Sequence, residues 1–156
     1  MLERARVRLP ATTFELGAGL ALPVADASAS VNLSKSGRVT TAAASFVNGL
    51  IYPTSLIPLA PTVTRSVALT AYANNAGLTP TGSIQVVTPP TGNTQKGTFK
   101  QTGMALGNFT AQLQYVPNPN GGLDLAWEII AQTPDQSHAF DTSVAAAGNR
   151  AGQIIR

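Results

Sequence analysis

His138 is the only histidine in the chain, which narrows the available chemistry sharply. A zinc-peptidase H-E-x-x-H site needs two histidines one helical turn apart, so none can form here. A Ser-His-Asp triad would have to use His138, and no G-x-S-x-G elbow supplies its nucleophile. His138 follows Ser137 in a polar turn region, the ordinary setting of an exposed or strand-edge histidine. Cysteine is absent, which excludes disulfides and thiolate metal sites. Among the carboxylates, Asp124 and Glu128 stand four residues apart on one predicted strand, on the face opposite Trp127. They could form a paired acid site, but two solvated residues on a wet outer face give the same pattern. Gly17-Ala18-Gly19 is too short for a phosphate loop and no helix follows it. Trp127 is the sole tryptophan, and aromatics make up only 6% of the chain, too few for a carbohydrate platform. The residues therefore predict no catalytic group, no metal ligand and no cofactor, and a chain that is not an enzyme.

The elements that hold these residues are set by composition. The 156 residues fit one domain or two small ones, and 44% are hydrophobic, enough for a core. Only 11% are charged, against roughly 25% in a typical domain, so Ser, Thr, Asn, Gln and Gly must cover the surface. The net charge is +3, with Arg4, Arg6 and Arg8 near the start and the other basic residues scattered. That distribution lacks the basic stripe of a nucleic-acid partner. No stretch approaches the length of a transmembrane helix, so no membrane partner is predicted. The mild apolar run from Leu16 to Ala29 makes a poor signal peptide, because Gly, Pro and Asp interrupt it. Two glycosylation sequons begin at Asn32 and Asn108.

Alternation of apolar and polar residues predicts a strand within Leu2–Leu9 and another over Ala27–Leu33. Ser34–Gly37 turns, and Arg38–Val47 returns as the second arm of a hairpin. Prolines exclude a long regular element across Asn48–Pro61. Thr64–Ala76 reads as the helix, capped by Thr62 or Thr64 and stopped at Gly77, with Val67, Ala68, Ala71 and Tyr72 on one face and Leu69 to the side. Short strands are predicted at Ser83–Thr88 and Thr98–Thr102, with a loop over Pro89–Asn93. The clearest hairpin joins Ala111–Val116 to Leu123–Ile130 through Pro117–Gly122. Ala139–Val144 adds a strand, and Gly152–Ile155 closes the sheet. The expected fold class is α+β: an antiparallel meander with one main helix on one face. It divides into two small subdomains, a hairpin unit over 1–52 and a helix-plus-sheet unit over 53–156.

Two blocks carry a family resemblance. The first runs from Val24-Ala25-Asp26 through Val31-Asn32-Leu33 and Gly37-Arg38-Val39 to Ser45-Phe46-Val47-Asn48. It resembles the propeptide motif of fungalysin and thermolysin precursors, in which a strand, a turn and a "G-(R/K)-V" return precede "S-F". The second is Leu113-Gln114-Tyr115 followed by Leu125-Ala126-Trp127-Glu128, similar to the "L-x-Y … L-A-W-E" hairpin of fungalysin propeptides. The chain departs from the pattern at Ala43-Ala44, at Ala139 and at Ala145. The resemblance makes Val31, Asn32, Gly37, Val39, Phe46, Tyr115, Leu125, Ala126, Trp127 and Glu128 structural motif residues. It implies a secreted, extracellular propeptide region that helps a fungalysin-type metalloprotease catalytic domain to fold and keeps it inactive. The zinc site would then lie on that partner. Two other expectations stay open: a structural or adhesive β-rich surface module, and a small hydrolase using Asp124, Glu128 and His138.

Overall fold

The computed structural model describes residues 5–9, 14–16, 20–45 and 57–156. Within them lie ten strands and one helix, so the fold is β-rich and the expected α+β class with a main helix is corrected. The helix is only 11 residues long. The physical reason is that many short alternating segments each bury one face by pairing with the next. Little apolar surface is then left for a helical layer to cover.

The first strands are β1 (Ala5–Leu9), β2 (Phe14–Leu16), β3 (Leu20–Leu22), β4 (Ser28–Leu33) and β5 (Val39–Ser45). They form a three-stranded antiparallel sheet in the order β1-β4-β5 and a separate β2-β3 pair. The predicted turn joins β4 to β5, with Gly37 at φ 79° and its N–H donating to the Ser34 carbonyl. Every described residue of β5 is exposed. The predicted subdomain boundary at 52/53 and the end of the return strand, including Phe46, lie outside the described residues.

Helix α1 (Arg65–Asn75) begins where the sequence places it. The Thr64 hydroxyl accepts from Val67 N, and Leu78 N and Gly77 N return to the Ala73 and Asn74 carbonyls at its end. Gly77 sits at φ 66°, which closes this cap without a Cβ penalty. The buried stripe is Ala68, Leu69, Tyr72 and Ala73. Val67, expected on the inner face, is 52% exposed, and Leu69 takes the inner position. The helix stands where the sequence places it, turned about its axis from the expected face.

Five strands follow: β6 (Thr81–Thr91), β7 (Lys96–Thr102), β8 (Phe109–Pro117), β9 (Leu123–Gln132) and β10 (Ala139–Ala145). They form an antiparallel meander in the order β10-β9-β8-β7-β6. Helix α1 packs on β9 and β10. β6 runs through Pro89 and Pro90, where a loop was expected. Proline is tolerated there because β6 is an edge strand and its register is broken three times. In β9 Leu123, Leu125, Trp127, Ile129 and Ala131 are buried and Asp124, Glu128, Ile130 and Gln132 are not; Ala126 breaks the alternation, buried on the opposite face under Ala25 and Ile155. The buried set joins Tyr72, Leu69, Phe109 and Leu113 in the main core.

The segment before β4 completes that core. Tyr115 N donates to the Pro23 carbonyl and Ala25 N to the Tyr115 carbonyl, adding a short parallel pairing to the free side of β8. Leu22, Val24 and Ala27 enter the main core with it. At the other end, Ala145 N donates to the Gln153 carbonyl and Ser143 N to the Arg156 carbonyl, so the last residues line part of the β10 edge. The small apolar cluster of Ala25, Val116 and Ala126 lies beneath Ile155.

Leu125 is fully buried, so Leu125→Ala should cost about 2–5 kcal/mol in urea unfolding. Val39→Ala, at a residue 62% exposed, should stay within about 0.5 kcal/mol. Gly103 has φ 78°, and a Cβ there would lie 2.5 Å from the Thr79 carbonyl oxygen. Gly103→Ala should therefore destabilise more than Gly37→Ala, where the φ is similar but the space is open.

Candidate functional site

The two carboxylates nominated as a pair do not meet. Both lie on the outer side of β9, and four residues of extended chain span about 13 Å. That exceeds the roughly 5–9.5 Å separations of glycosidase acid pairs. Each has its own partners. Asp124 pairs with Arg150 and accepts from the Asn118 amide at 3.2 Å. The Asn118 side-chain Oδ1 in turn accepts from Asn120 N and Gly122 N, which shapes the turn. Glu128 accepts from the Gln112 amide at 2.6 Å across the β8–β9 register. Burial pushes the Glu128 carboxyl above its ordinary range and nearby Asp141 adds to this, while Gln112, Arg156 and Lys96 oppose it.

His138 lies at the end of the β9–β10 turn, stacked on Phe140 with ring centroids 5.7 Å apart. Its Nδ1 is 2.7 Å from the Ser137 hydroxyl, which also lies 2.8 Å from both Asp135 carboxylate oxygens. The Thr133 hydroxyl, then the Ser137 N–H and hydroxyl, hold the Asp135 carboxyl down at about 2. At neutral pH Asp135 is an acceptor only, so the Ser137 hydroxyl can donate to it, and the direction of the Ser137–Nδ1 bond follows the His138 tautomer. This order, acid–hydroxyl–imidazole, differs from a nucleophilic triad, in which the imidazole stands between acid and hydroxyl. The cluster borders an open groove of about 540 Å³ with Asn75, Thr79 and Phe140.

A third constellation escaped the sequence reading. Trp127 is buried, and its Nε1 donates 2.9 Å to the Val63 carbonyl just before α1. The Arg65 guanidinium lies 4.8 Å from the Trp127 ring centroid and 4.9 Å from that of Phe99. Its Nη2 donates to the Gln95 carbonyl at 3.1 Å, and its buried Nε finds no acceptor. Burial lowers the Arg65 pKa. A cavity of about 240 Å³ opens beside it, bordered by Pro61, Val63, Thr64 and Gln95. One signal could have found this site: Arg65 is the only charged residue between Arg38 and Lys96.

No protein-family model matches this sequence, and no curated protein matches it. The resemblance to fungalysin propeptides stands on the residues of its two blocks alone.

In the structure those residues have different surroundings. Tyr115, Leu125, Ala126 and Trp127 are buried, and the Tyr115 hydroxyl donates to the Pro58 carbonyl at 3.2 Å. Glu128, Val31 and Asn32 are half-buried, Gly37 forms its turn and Val39 is exposed. Phe46 lies outside the described residues. The Asn32 sequon is part of β4, whereas Asn108 is exposed just before β8.

Two titrations test these environments. Because the folded-state pKa of Asp135 is depressed, its contribution to stability is present above its ordinary value of 3.8 and is lost as pH falls toward about 2. NMR titration of Ser137→Ala should move the Asp135 midpoint upward. Glu128 has the opposite sign: its contribution is full when the carboxyl is protonated and is lost as pH rises through the raised value. Thermal melts of Glu128→Gln should therefore match or exceed the parent at neutral pH and lack its decline between acidic and neutral pH.

Proposed function

We propose that this chain acts as a propeptide-like chaperone and inhibitor of a fungalysin-type extracellular metalloprotease, with the zinc and catalytic groups on the partner. The observation that carries the reading is β5. It lies within the first motif block, is the outer strand of its sheet and is exposed at all seven residues. Its sequence, Val-Thr-Thr-Ala-Ala-Ala-Ser, has no charge, no proline and no bulky side chain to obstruct a neighbour. An edge of this kind offers unpaired backbone N–H and C=O groups to a strand of another protein. Binding to the folded catalytic domain would stabilise it by mass action and hold it inactive until the chain is digested.

The same edge favours a second reading, a structural or adhesive β-rich module that assembles through β5 with its own copies. Sedimentation of the isolated chain over a range of concentrations separates the two. The direct test is inhibition of purified fungalysin-type proteases by micromolar chain. Saturable inhibition that fades as the chain is cleaved is expected, and Ala43→Pro, which obstructs strand addition, should weaken it at least about tenfold. Absence of binding to several such proteases would overturn the propeptide reading, and concentration-dependent self-association would move the assignment to the assembling module.

A further inference from the structure

We propose that Arg65 and the cavity beside it form a binding site for a carboxylate group, of the size of an aspartate or glutamate side chain. The inference is independent of the protease reading. Its basis is a cation held in place with no carboxylate paired to it among the described residues. The guanidinium lies over the rings of Trp127 and Phe99 and donates to the Gln95 carbonyl, contacts that restrain it before any ligand arrives. Among the described residues, every salt bridge uses Arg150 or Arg156 and none uses Arg65. The described carboxylates are engaged elsewhere: Asp26 and Asp141 with Arg156, Asp124 with Arg150, Glu128 with Gln112, and Asp135 with Ser137.

A half-buried charge without a partner is costly, and a planar fork is suited to satisfying a carboxylate with two parallel hydrogen bonds. The cavity supplies the remaining selection. At about 240 Å³ this open depression is of a size to seat a carboxyl group with a short aliphatic stem. Pro61, Val63 and Trp127 offer that stem an apolar wall, and Thr64 borders the same depression. The first turn of α1 contains no acidic residue that would compete for the site.

Trp127 is the only tryptophan, so its fluorescence reports on this site alone. The full chain is titrated at constant ionic strength with N-acetyl-glutamate amide, with its glutamine counterpart, and with acetate. The proposal expects a saturable change in Trp127 emission with the glutamate compound, at least about tenfold tighter than with the glutamine compound. Acetate binding as tightly as the glutamate compound would identify the ligand as a free small carboxylate. Tighter binding of the glutamate compound would identify an acidic side chain of a peptide. Arg65→Gln should abolish the response. Arg65→Lys keeps the charge but loses the fork, and should weaken the response by about tenfold or more. Equal responses to the glutamate and glutamine compounds, or no saturable response in the parent chain, would overturn the proposal without relying on any variant to fold.

Discussion

The hydrogen bond from the Trp127 indole to the Val63 carbonyl ties the chain ahead of the helix to the middle of the sheet. The placement of α1 depends on it. The same segment is held from a second direction, because Thr62 N and Val63 N both donate to the Ala146 carbonyl beyond β10. Tyr115 does a similar job earlier, donating its hydroxyl to Pro58. A proline-containing connector has fewer N–H groups with which to pair, so its carbonyls must find donors on side chains. Buried Trp and Tyr are suited to this, since each joins a large apolar body to one polar tip. With the connector pinned, Thr64 can start the helix directly over the sheet, and Leu69 and Tyr72 close the core.

The helix limits were legible because its caps are local chemistry, a Thr hydroxyl at one end and a left-handed Gly at the other. The β8–β9 hairpin was legible because Leu123, Leu125, Trp127 and Ile129 repeat at the strand period around an Asn-Pro-Asn-Gly-Gly turn. The rotation of the helix was not legible, because Val67 and Leu69 are equally apolar and only the sheet beneath decides between them. Nor was the length of β6, since Pro89 and Pro90 read as loop unless the strand is known to lie at an edge. The balance of the fold was misjudged for the same reason: each short strand looks minor alone, and their sum outweighs the helix. At the candidate site, Trp127 reads as core, which it is; the isolation of Arg65 among uncharged residues marks it as unusual, but spacing cannot say that it reaches the Trp127 face from 62 residues away in the chain.

The sheet edges are treated unequally. β6 carries two prolines and three breaks of register, features that discourage another strand from pairing. β10 is partly lined by the last residues of the chain, with Arg156 bridging Asp26 and Asp141. These ion pairs are exposed and add little stability, so the backbone pairing does most of the holding. β5 has none of these protections. β5 shares its sheet's edges with β1, and of the two it is the one that carries part of the motif block.

The pairing of Pro23–Ala25 with Tyr115 also bears on how the molecule is assembled. The five-stranded sheet is built from neighbours in sequence, hairpin after hairpin, and such short closures form quickly. The early segment has no such neighbour: its place exists only once β8 has formed against β9. As the chain is synthesised, this segment must therefore wait, with Leu22, Val24 and Ala27 uncovered, until residues far downstream have emerged. This segment reaches its place only after the later residues it pairs with, and in that interval its apolar side chains are open to misassembly.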